Sequence, residues 1–387
     1  MRIVYYNRGF QETIGLGIHA RGLLGGLAQL GHDVLTIPVP NSGTPGSRLD
    51  RSLTSRLPDL IKVPAREVRG RVRAVQEGRT ALTRVSGFQP DAWIVRRFAY
   101  DYTLPKLVRI IGCPVIAECN SIAMFESRDF HGQYSMPWER ENEASFLRCA
   151  DLCVAVTKEV GSQLVQIGVD PERIAVIHNG VDVSVFSADG LVDPEVARWR
   201  EGFSYVIGYC ATVSPLHDLL TISAAVTEIA SERDDVGFLF IGPTMQSLVN
   251  AGLDATTVGQ RCLALGAVDH SRVPSTLRGA DLLWSALQNT YGSPIKVFEY
   301  LALGRSTLFA ATGSGVFPVT ESGGGAVVPK GDSPGLIDLV RKRLSDPELM
   351  LCEGARGAAW VREHGTWAVT ANAMIGALEA RTGAKYG

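Results

Sequence analysis

The sequence predicts an α/β protein made of two doubly wound domains, and three observations lead to this prediction. Short apolar or β-branched runs alternate with longer helical patterns along the chain, as in parallel strands connected by covering helices. There are twelve such runs in two sets of six, which is more than one open sheet usually holds. The chain has 387 residues and 45% hydrophobic content, enough for two separate cores.

The first set of strands is predicted at RIVYYN, HDVLTIPV, DAWIVRR, CPVIAEC, ADLCVAVT and IAVIHNG. The second set is predicted at YVIGYCATV, VGFLFIGP, CLALGAV, ADLLWSAL, STLFAAT and GAVVP. The segment between them, NGVDVSVFSADGLVDPEVARW, is rich in Gly, Asp, Ser and Pro and is typical of a linker.

We therefore expect an N-terminal Rossmann-like domain over residues 1–185 and a C-terminal one over residues 186–365. A last helix over residues 366–387 is expected to pack back towards the N-terminal domain. Ligands of doubly wound sheets bind beyond the carboxyl ends of the strands. Two such domains facing a central cleft would hold a ligand there.

Composition narrows the class of protein. The net charge of -2 and the pI near 6.4 argue against a nucleic-acid partner. No run approaches the roughly 20 apolar residues of a membrane span, and the N-terminus enters a strand without a signal-peptide pattern. Seven scattered cysteines without a C-x-x-C pair suit a reducing compartment. We expect a cytoplasmic protein.

A glycine-containing loop is predicted in NRGFQETIGLGIHARGLLGGLAQLGHDV, where Gly15 and Gly17 come between a strand and a helix. Glycines at a helix start let backbone N–H groups approach a phosphate. A structural turn and a phosphate contact both fit this segment. The spacing is not G-x-G-x-x-G, and no acidic residue ends the second strand, so a dinucleotide-dependent dehydrogenase is not favoured.

The stretch SPIKVFEYLALGRS, residues 293–306, places Lys296 and Glu299 three apart in an apolar run. Each charge would cost several kcal/mol if it were buried on a helix without a partner. The pattern therefore indicates either a bound ligand or a local ion pair on a solvated helix face.

Two stretches carry a resemblance to glycosyltransferase family 4. ADLCVAVTKEVGSQLVQIGVDPERIAVIHNGVDVSVF resembles the end of the N-terminal domain of that family. Residues 293–306 resemble its P-x-K-x-x-E-Y-x-A-x-G run, which precedes a strand. The glycine loop, the linker and GSGVFPVTESGGGAVVPKGD extend the similarity over nearly the whole chain.

The resemblance implies a GT-B fold and a nucleotide-sugar donor bound by the C-terminal domain. It also implies a small-molecule or glycan acceptor held mainly by the N-terminal domain. Transfer would be retaining and metal-independent, without a cofactor, and would move a hexose-type sugar to a hydroxyl group.

The resemblance also assigns site residues. The residue matching Glu299 accepts hydrogen bonds from the ribose hydroxyls, and Lys296 faces the donor diphosphate as a catalytic residue at the start of a helix opened by Ser293 and Pro294. The predicted donor site comprises Gly15, Gly17, Thr212, His217, Tyr291, Gly292, Ser293, Lys296, Val297 and Glu299.

The chain departs from the family pattern at two places. Tyr291 stands where the family has a glutamate for the transferred sugar, which suggests a modified or deoxygenated sugar, or contacts from the backbone of Gly292 and Ser293. Thr212 and His217 stand where many relatives have Arg and Lys for the diphosphate, and both are weaker anion ligands.

These departures keep two alternatives open. One is a pseudo-enzyme that binds a nucleotide sugar without transferring it. The other is a nucleotide-sugar 2-epimerase on the same fold, although the order of the family motifs favours transfer.

In the N-terminal domain, IVRRFAYDY and IAECNSIAMFESRDF both follow strands. Glu118 and Asn120 resemble an E-x-N segment that some relatives place near the reacting atoms, so Glu118 is a second catalytic candidate. Together with Arg96 and Arg97 they form the predicted acceptor site. Ordinary strand-end ion pairing between Arg97 and Glu118 explains the same pattern.

Residues 48–84 carry ten Lys or Arg against four Asp or Glu. The favoured interpretation is a helix packed on the sheet with a basic solvated face. Contact with a membrane surface or with an anionic acceptor is the less favoured alternative.

Overall fold

The structure, a computed structural model, describes residues 1–8, 15–39, 83–85, 87–96, 112–126 and 137–384. Arg97 and nearly all of the basic segment 48–84 lie outside these residues. By their internal contacts, the residues form two compact units: unit 1 is Met1–His178 with Thr370–Gly387, and unit 2 is Asn179–Val369.

Unit 1 contains a parallel six-stranded sheet in the order β2-β1-β3-β4-β5-β6. Its strands are β1 (Arg2–Arg8), β2 (Asp33–Val39), β3 (Ala92–Arg96), β4 (Val115–Cys119), β5 (Leu152–Ala155) and β6 (Ile174–Val176). Strands β3, β4 and β5 are buried along their whole length, as expected of strands covered on both faces. The helices described in this unit are α1 (Gly15–Gln29), α2 (Ala123–Glu126), α3 (Pro137–Cys149) and α4 (Lys158–Gln166).

Unit 2 contains a second parallel six-stranded sheet in the order β12-β11-β10-β7-β8-β9. Its strands are β7 (Tyr205–Cys210), β8 (Val236–Ile241), β9 (Cys262–Ala264), β10 (Leu282–Ala286), β11 (Ser306–Ala310) and β12 (Gly325–Val328). The helices are α5 (Pro194–Arg200), α6 (Leu219–Glu232), α7 (Met245–Asn250), α8 (Ala255–Val258), α9 (Val273–Leu277), α10 (Ile295–Ala302), α11 (Phe317–Glu321), α12 (Ser333–Leu344) and α13 (Pro347–His364). Helix α14 (Trp367–Thr382) crosses the boundary to unit 1.

The core of unit 2 lies on both faces of its sheet, because successive strand side chains point to opposite faces. Ile207 and Tyr209 of β7 pack into the cluster that contains residues of α6 and α12. Val206, the residue before Ile207, points to the opposite face and packs into the cluster that contains residues of α9 and α10. Many of the helices begin at an Asp whose carboxylate accepts a backbone N–H, as at Asp193 and Asp218.

The predicted fold class is confirmed: all twelve predicted strands are present, in two parallel sheets of six. The chain has a two-domain, Rossmann-like GT-B fold. The compact units meet at residue 179, seven residues before the predicted boundary. Val181 belongs to unit 2 because its N–H donates to the Gly365 carbonyl at 2.9 Å. Within the described residues, no helix is long and apolar enough to cross a membrane.

One local prediction was wrong. Gly15 and Gly17 were expected in a loop before the first helix, but α1 already begins at Gly15 and contains both residues. The first N–H groups of any α-helix lack helical partners. A glycine loop before α1 is therefore not needed to leave such groups available.

Candidate functional site

The strand order of unit 2 reverses between β7 and β10, which makes their carboxyl ends the topological switch point of the sheet. The loop after β7 carries Thr212 and His217, and the loop after β10 leads into α10. Helix α10 is fixed to the end of β7 by Tyr300, whose hydroxyl accepts the Cys210 N–H at 2.7 Å and lies 3.2 Å from the Cys210 carbonyl. The sheet therefore brings the predicted donor-site residues of unit 2 together.

Side chains hold the loop before α10 in place. The Asn289 carboxamide oxygen accepts the N–H groups of Tyr291 and Gly292 at 2.8 and 2.9 Å. The Ser293 carbonyl accepts the Asn179 side-chain N–H at 2.6 Å. The Gly292 N–H is thus bonded within the protein, and contact of the Gly292 and Ser293 backbone with the sugar stays a prediction.

The loop after β11 packs backbone against backbone on this segment. A Cβ added at Gly315 would lie 1.8 Å from the Gly292 carbonyl oxygen. A Cβ at Gly313, whose φ is +109°, would lie 2.0 Å from the Thr290 carbonyl oxygen. Only glycine allows this approach, and sequence reasoning had not identified either contact.

Lys296, in the first turn of α10, has its ammonium group buried and without a hydrogen-bond partner among the described residues. It lies 5.7 Å from the centroid of the Tyr209 ring. Burial lowers the pKa of Lys296 to about 8, although the neighbouring Cys210 and Glu299 favour the charged form.

Glu299, one turn further along α10, is only 7% exposed. In the described part of the chain, its carboxylate makes a single polar contact, 3.4 Å from Nε2 of His270. No ion pair within 4.0 Å joins it to Lys296 among these residues. The alternative of an ion pair on a solvated face therefore does not hold, because neither charged group is solvated and they are not paired.

The surroundings of His217 favour its neutral form. Its Nδ1 lies 2.8 Å from the Thr212 carbonyl oxygen and 3.2 Å from the Ser214 hydroxyl. Burial and the nearby Lys296 charge lower the pKa of His217 to about 3. Facing a carbonyl, Nδ1 carries the proton, and Nε2 is left as an acceptor. His217 and the exposed Thr212 thus supply no positive charge here.

A shallow pocket of about 410 Å³ lies beside His217. It is lined by Val213, His217, Asp218, Leu219, Leu220, Ser247, Asn250, Ala251 and Gln288. The pocket extends the switch-point region between the start of α6 and helix α7.

Three other predicted donor residues are buried in α10 or just before it. Tyr291 is 5% exposed, and Ser293 is buried with a hydroxyl that makes no hydrogen bond within the described residues. Val297 is fully buried in the core, and its N–H donates to the Pro294 carbonyl at 3.1 Å. Val297 therefore packs the helix into the core and has no free N–H, and its assignment to the donor site stays a prediction.

A second polar cluster lies in unit 1 around Glu118, which is 3% exposed. His19 Nε2 and Arg96 Nε lie 2.6 and 3.6 Å from Glu118 Oε1. The Asn120 amide donates to the same oxygen at 2.7 Å, and the Tyr5 hydroxyl donates to Oε2 at 3.1 Å. Burial acts to raise the pKa of Glu118, but His19, Arg96 and the hydrogen bonds lower it to about 2.

The sheet register explains this cluster, since Arg96 on β3 is the direct partner of Glu118 on β4. The structure thus joins the predicted residues Arg96, Glu118 and Asn120, and it supplies an ion pair from Arg96 where sequence reasoning had considered Arg97. It adds Tyr5 and His19, which had no signal in the sequence. A carboxylate with so low a pKa is a weak general base at neutral pH.

No group of three or more His, Cys, Asp or Glu in the described part of the chain is arranged to hold a metal ion. The site of unit 2 offers a buried ammonium group, a buried carboxylate and a helix start without a side-chain cap. This combination suits a ligand that carries both an anionic group and hydroxyl groups.

Two models of known protein families match this chain. The profile of Glycosyltransferase Family 4 matches residues 14–185, and the profile of Glycosyl transferases group 1 matches residues 204–346. The two matches together cover most of the chain. The chain belongs to glycosyltransferase family 4, as its motifs predicted.

A curated relative agrees with this assignment. The chain is 27% identical over 246 residues to the D-inositol 3-phosphate glycosyltransferase of Mycobacteroides abscessus. That match covers 58% of this chain, and the chain spans about half (51%) of the length of this curated relative.

Solved structures share the fold over nearly the whole chain. Sucrose-phosphate synthase from Thermosynechococcus elongatus superposes with a TM-score of 0.74 at 14% identity, covering 98% of both chains. Anabaena HepE in complex with UDP and glucose superposes with a TM-score of 0.68 at 15% identity, covering 98% of this chain and 100% of that one.

Proposed function

We propose that the protein is a nucleotide-sugar-dependent glycosyltransferase that moves a hexose-type sugar to a hydroxyl group of a small-molecule or glycan acceptor. One observation carries the proposal: Lys296 and Glu299 bear opposite charges on one buried helix and are not paired with each other. Burying two unpaired charges lowers the stability of the fold, so their presence is best explained by a ligand that binds both. Membership of the glycosyltransferase family supports the same conclusion.

In the proposed complex, Glu299 accepts hydrogen bonds from the ribose hydroxyls of the donor. A carboxylate with one contact at 3.4 Å has lone pairs left for a diol. Lys296 and the free N–H groups at the start of α10 bind the diphosphate.

The same groups would act in the transfer step. The bond between the sugar carbon and the diphosphate oxygen breaks, and the acceptor hydroxyl oxygen forms the new bond to that carbon. The hydroxyl proton passes to the departing diphosphate, on whose leaving oxygen negative charge develops in the transition state. Lys296 stabilises this charge in a site that excludes water, where a fixed positive charge is most effective. This role makes a metal ion unnecessary. Retention of the sugar configuration is proposed from the family resemblance.

The acceptor is proposed to bind in unit 1 near Arg96 and Asn120. Both contact Glu118, which holds them in position rather than acting as a base. A catalytic role for Glu118 beyond this positioning is not supported by its low pKa.

The test is release of nucleoside diphosphate from a panel of UDP-, GDP- and dTDP-sugars. UDP-glucose comes first, since HepE was solved with UDP and glucose. Inositol phosphate belongs among the acceptors because of the named relative. We expect release from one donor, loss of release in Lys296→Ala, and no effect of EDTA. Lys342→Ala, at an exposed lysine of α12, is the matched control.

A second candidate function is binding without transfer. It is favoured by one observation: Thr212 and His217 bring no positive charge to the diphosphate. Tight binding of a nucleotide sugar, with no release under any acceptor, would establish this function and contradict the proposed one.

A further inference from the structure

We infer that His270 is a positioning residue for Glu299 and sets how strongly the protein prefers a ribonucleotide over its 2′-deoxy counterpart. The inference rests on the proposed function, because it assigns Glu299 to the ribose. His270 was not singled out by any sequence motif. It lies 29 residues before Glu299 in the chain.

The turn that carries His270 is anchored at both ends. It is a single 3-10 turn, His270–Arg272, capped by Asp269, whose carboxylate accepts the Ser271 N–H at 2.9 Å. Arg272 Nε lies 2.6 Å from Asp193, and its Nη2 lies 2.7 Å from Glu195. These ion pairs tie the turn to the start of α5.

The imidazole itself is also held. The Phe186 ring lies 5.7 Å from it, centroid to centroid, at an angle of 52°. The His270 side chain is 29% exposed, against 10% for that of Glu299. His270 therefore forms the outer side of the contact, and Glu299 forms the inner side.

This arrangement fixes the carboxylate from one direction. His270 Nε2 faces Oε1 of Glu299 at 3.4 Å, so Nε2 carries the proton and donates to that oxygen. Glu299 keeps its remaining lone pairs, including those of Oε2, for hydroxyl donors. Accepting two adjacent hydroxyls requires one fixed rotation of the carboxylate, and a supporting hydrogen bond provides this.

Removing the His270 side chain should weaken the contact between Glu299 and the two ribose hydroxyls more than it weakens the binding of the diphosphate. We expect His270→Ala to lower the affinity for the ribonucleotide about tenfold, which is the size of effect expected for a hydrogen bond to a charged group. The affinity for the 2′-deoxy form should change less than about threefold, because this form lacks one of the hydroxyls that Glu299 would bind. His270→Gln, whose amide can still donate, should restore part of the preference. A purely structural role for His270 would lower both affinities equally.

The experiment is calorimetric titration with UDP, 2′-deoxy-UDP, GDP and 2′-deoxy-GDP. The proteins are wild type, His270→Ala, His270→Gln, Glu299→Gln and the control His364→Ala, which removes an exposed histidine beside Glu363 on α13. Circular dichroism checks that each variant is folded.

The outcomes separate the two assignments. If wild type shows no preference for a ribonucleotide, or Glu299→Gln keeps that preference, the ribose contact of Glu299 is wrong and the inference falls with it. If Glu299→Gln loses the preference but His270→Ala keeps it, the proposed function stands and the role of His270 is refuted. Loss of preference in both, with His364→Ala unchanged, supports the inference.

Discussion

At the residue scale, the site is defined by two buried charged groups, Lys296 and Glu299, that are not paired with each other. Arg343 and Glu353, by comparison, are also buried in unit 2, but they form a bidentate pair at 2.7 and 3.1 Å. Lys296 has no such partner among the described residues. The chain can pair buried charges, so the lack of pairing at Lys296 and Glu299 points to a ligand.

The lowered pKa of Lys296 leads to a prediction about stability. The folded-state pKa is about 8, below the roughly 10.5 of an unfolded lysine. Below pH 8 the lysine is charged in both states and destabilises the fold. As pH rises from about 8 to 10.5 only the folded state loses its proton, so this destabilisation disappears.

Lys296→Met should therefore raise the free energy of unfolding at pH 7 by about 1–3 kcal/mol, while abolishing donor turnover. Urea unfolding at pH 7 and pH 10.5 measures the effect, which should be absent at the higher pH. Lys342→Met is the control and should change stability by less than about 0.5 kcal/mol. A Lys296→Met variant that is less stable than wild type at pH 7 would show that Lys296 has a structural partner.

Tyr291 leads to a prediction about the sugar. A buried tyrosine offers an apolar ring and one hydroxyl where the family has a carboxylate that accepts from two sugar hydroxyls. We expect a modified or deoxygenated donor sugar, and we expect Tyr291→Glu to shift preference towards glucose-type donors. Competition between the two donor types gives the ratio of kcat/KM, and an unchanged ratio would mean that Tyr291 does not face the sugar.

Residues such as Lys296 and Glu299 could be predicted because they lie in one short motif. His270, Tyr5 and His19 could not, because each reaches its partner across a distance set by sheet register and helix packing. Tyr5 and Glu118, for example, are 113 residues apart and meet only because β1, β3 and β4 are neighbours. A lone tyrosine in an apolar strand gives no signal of such a contact.

At the element scale, the strands were predictable because strands buried on both faces are continuous apolar runs. Helix starts were less so, as α1 shows by including Gly15 and Gly17. The packing of loops on each other was not predictable at all, because it depends on backbone atoms rather than on side-chain pattern. The contact between Gly315 and Gly292 is of this kind.

This contact predicts the effect of Gly315→Ala. The new Cβ would lie 1.8 Å from the Gly292 carbonyl oxygen, so the loop before α10 must move, at a cost of roughly 1–3 kcal/mol. We expect a lower Tm and weaker donor binding. Gly376→Ala, at an exposed glycine of α14 with no atom within 4 Å of the new Cβ, should be neutral or slightly stabilising. Equal effects of the two changes would contradict the loop contact.

At the scale of the whole molecule, each compact unit has its own sheet and its own buried polar cluster. In the described residues, the cluster in unit 2 has a buried charged group without a hydrogen-bond partner, Lys296, whereas Glu118 in unit 1 is paired. Donor binding should therefore slow hydrogen exchange in peptides that cover residues 211–217 and 289–300. Exchange measured with and without the nucleoside diphosphate checks this, and protection confined to unit 1 would contradict it.

The buried Lys296 ammonium is proposed to bind the donor diphosphate. The pKa of about 8 means that about half of the free protein lacks this proton at pH 8, and a bound diphosphate would restore it. The most direct measurement is calorimetric titration with the nucleoside diphosphate of the active donor, at pH 8 and pH 6.5, in buffers of different ionisation enthalpy. At pH 8 wild type should take up about half a proton more than Lys296→Met, and at pH 6.5 the difference should nearly vanish. Equal proton uptake by wild type and variant at pH 8 would contradict the claim.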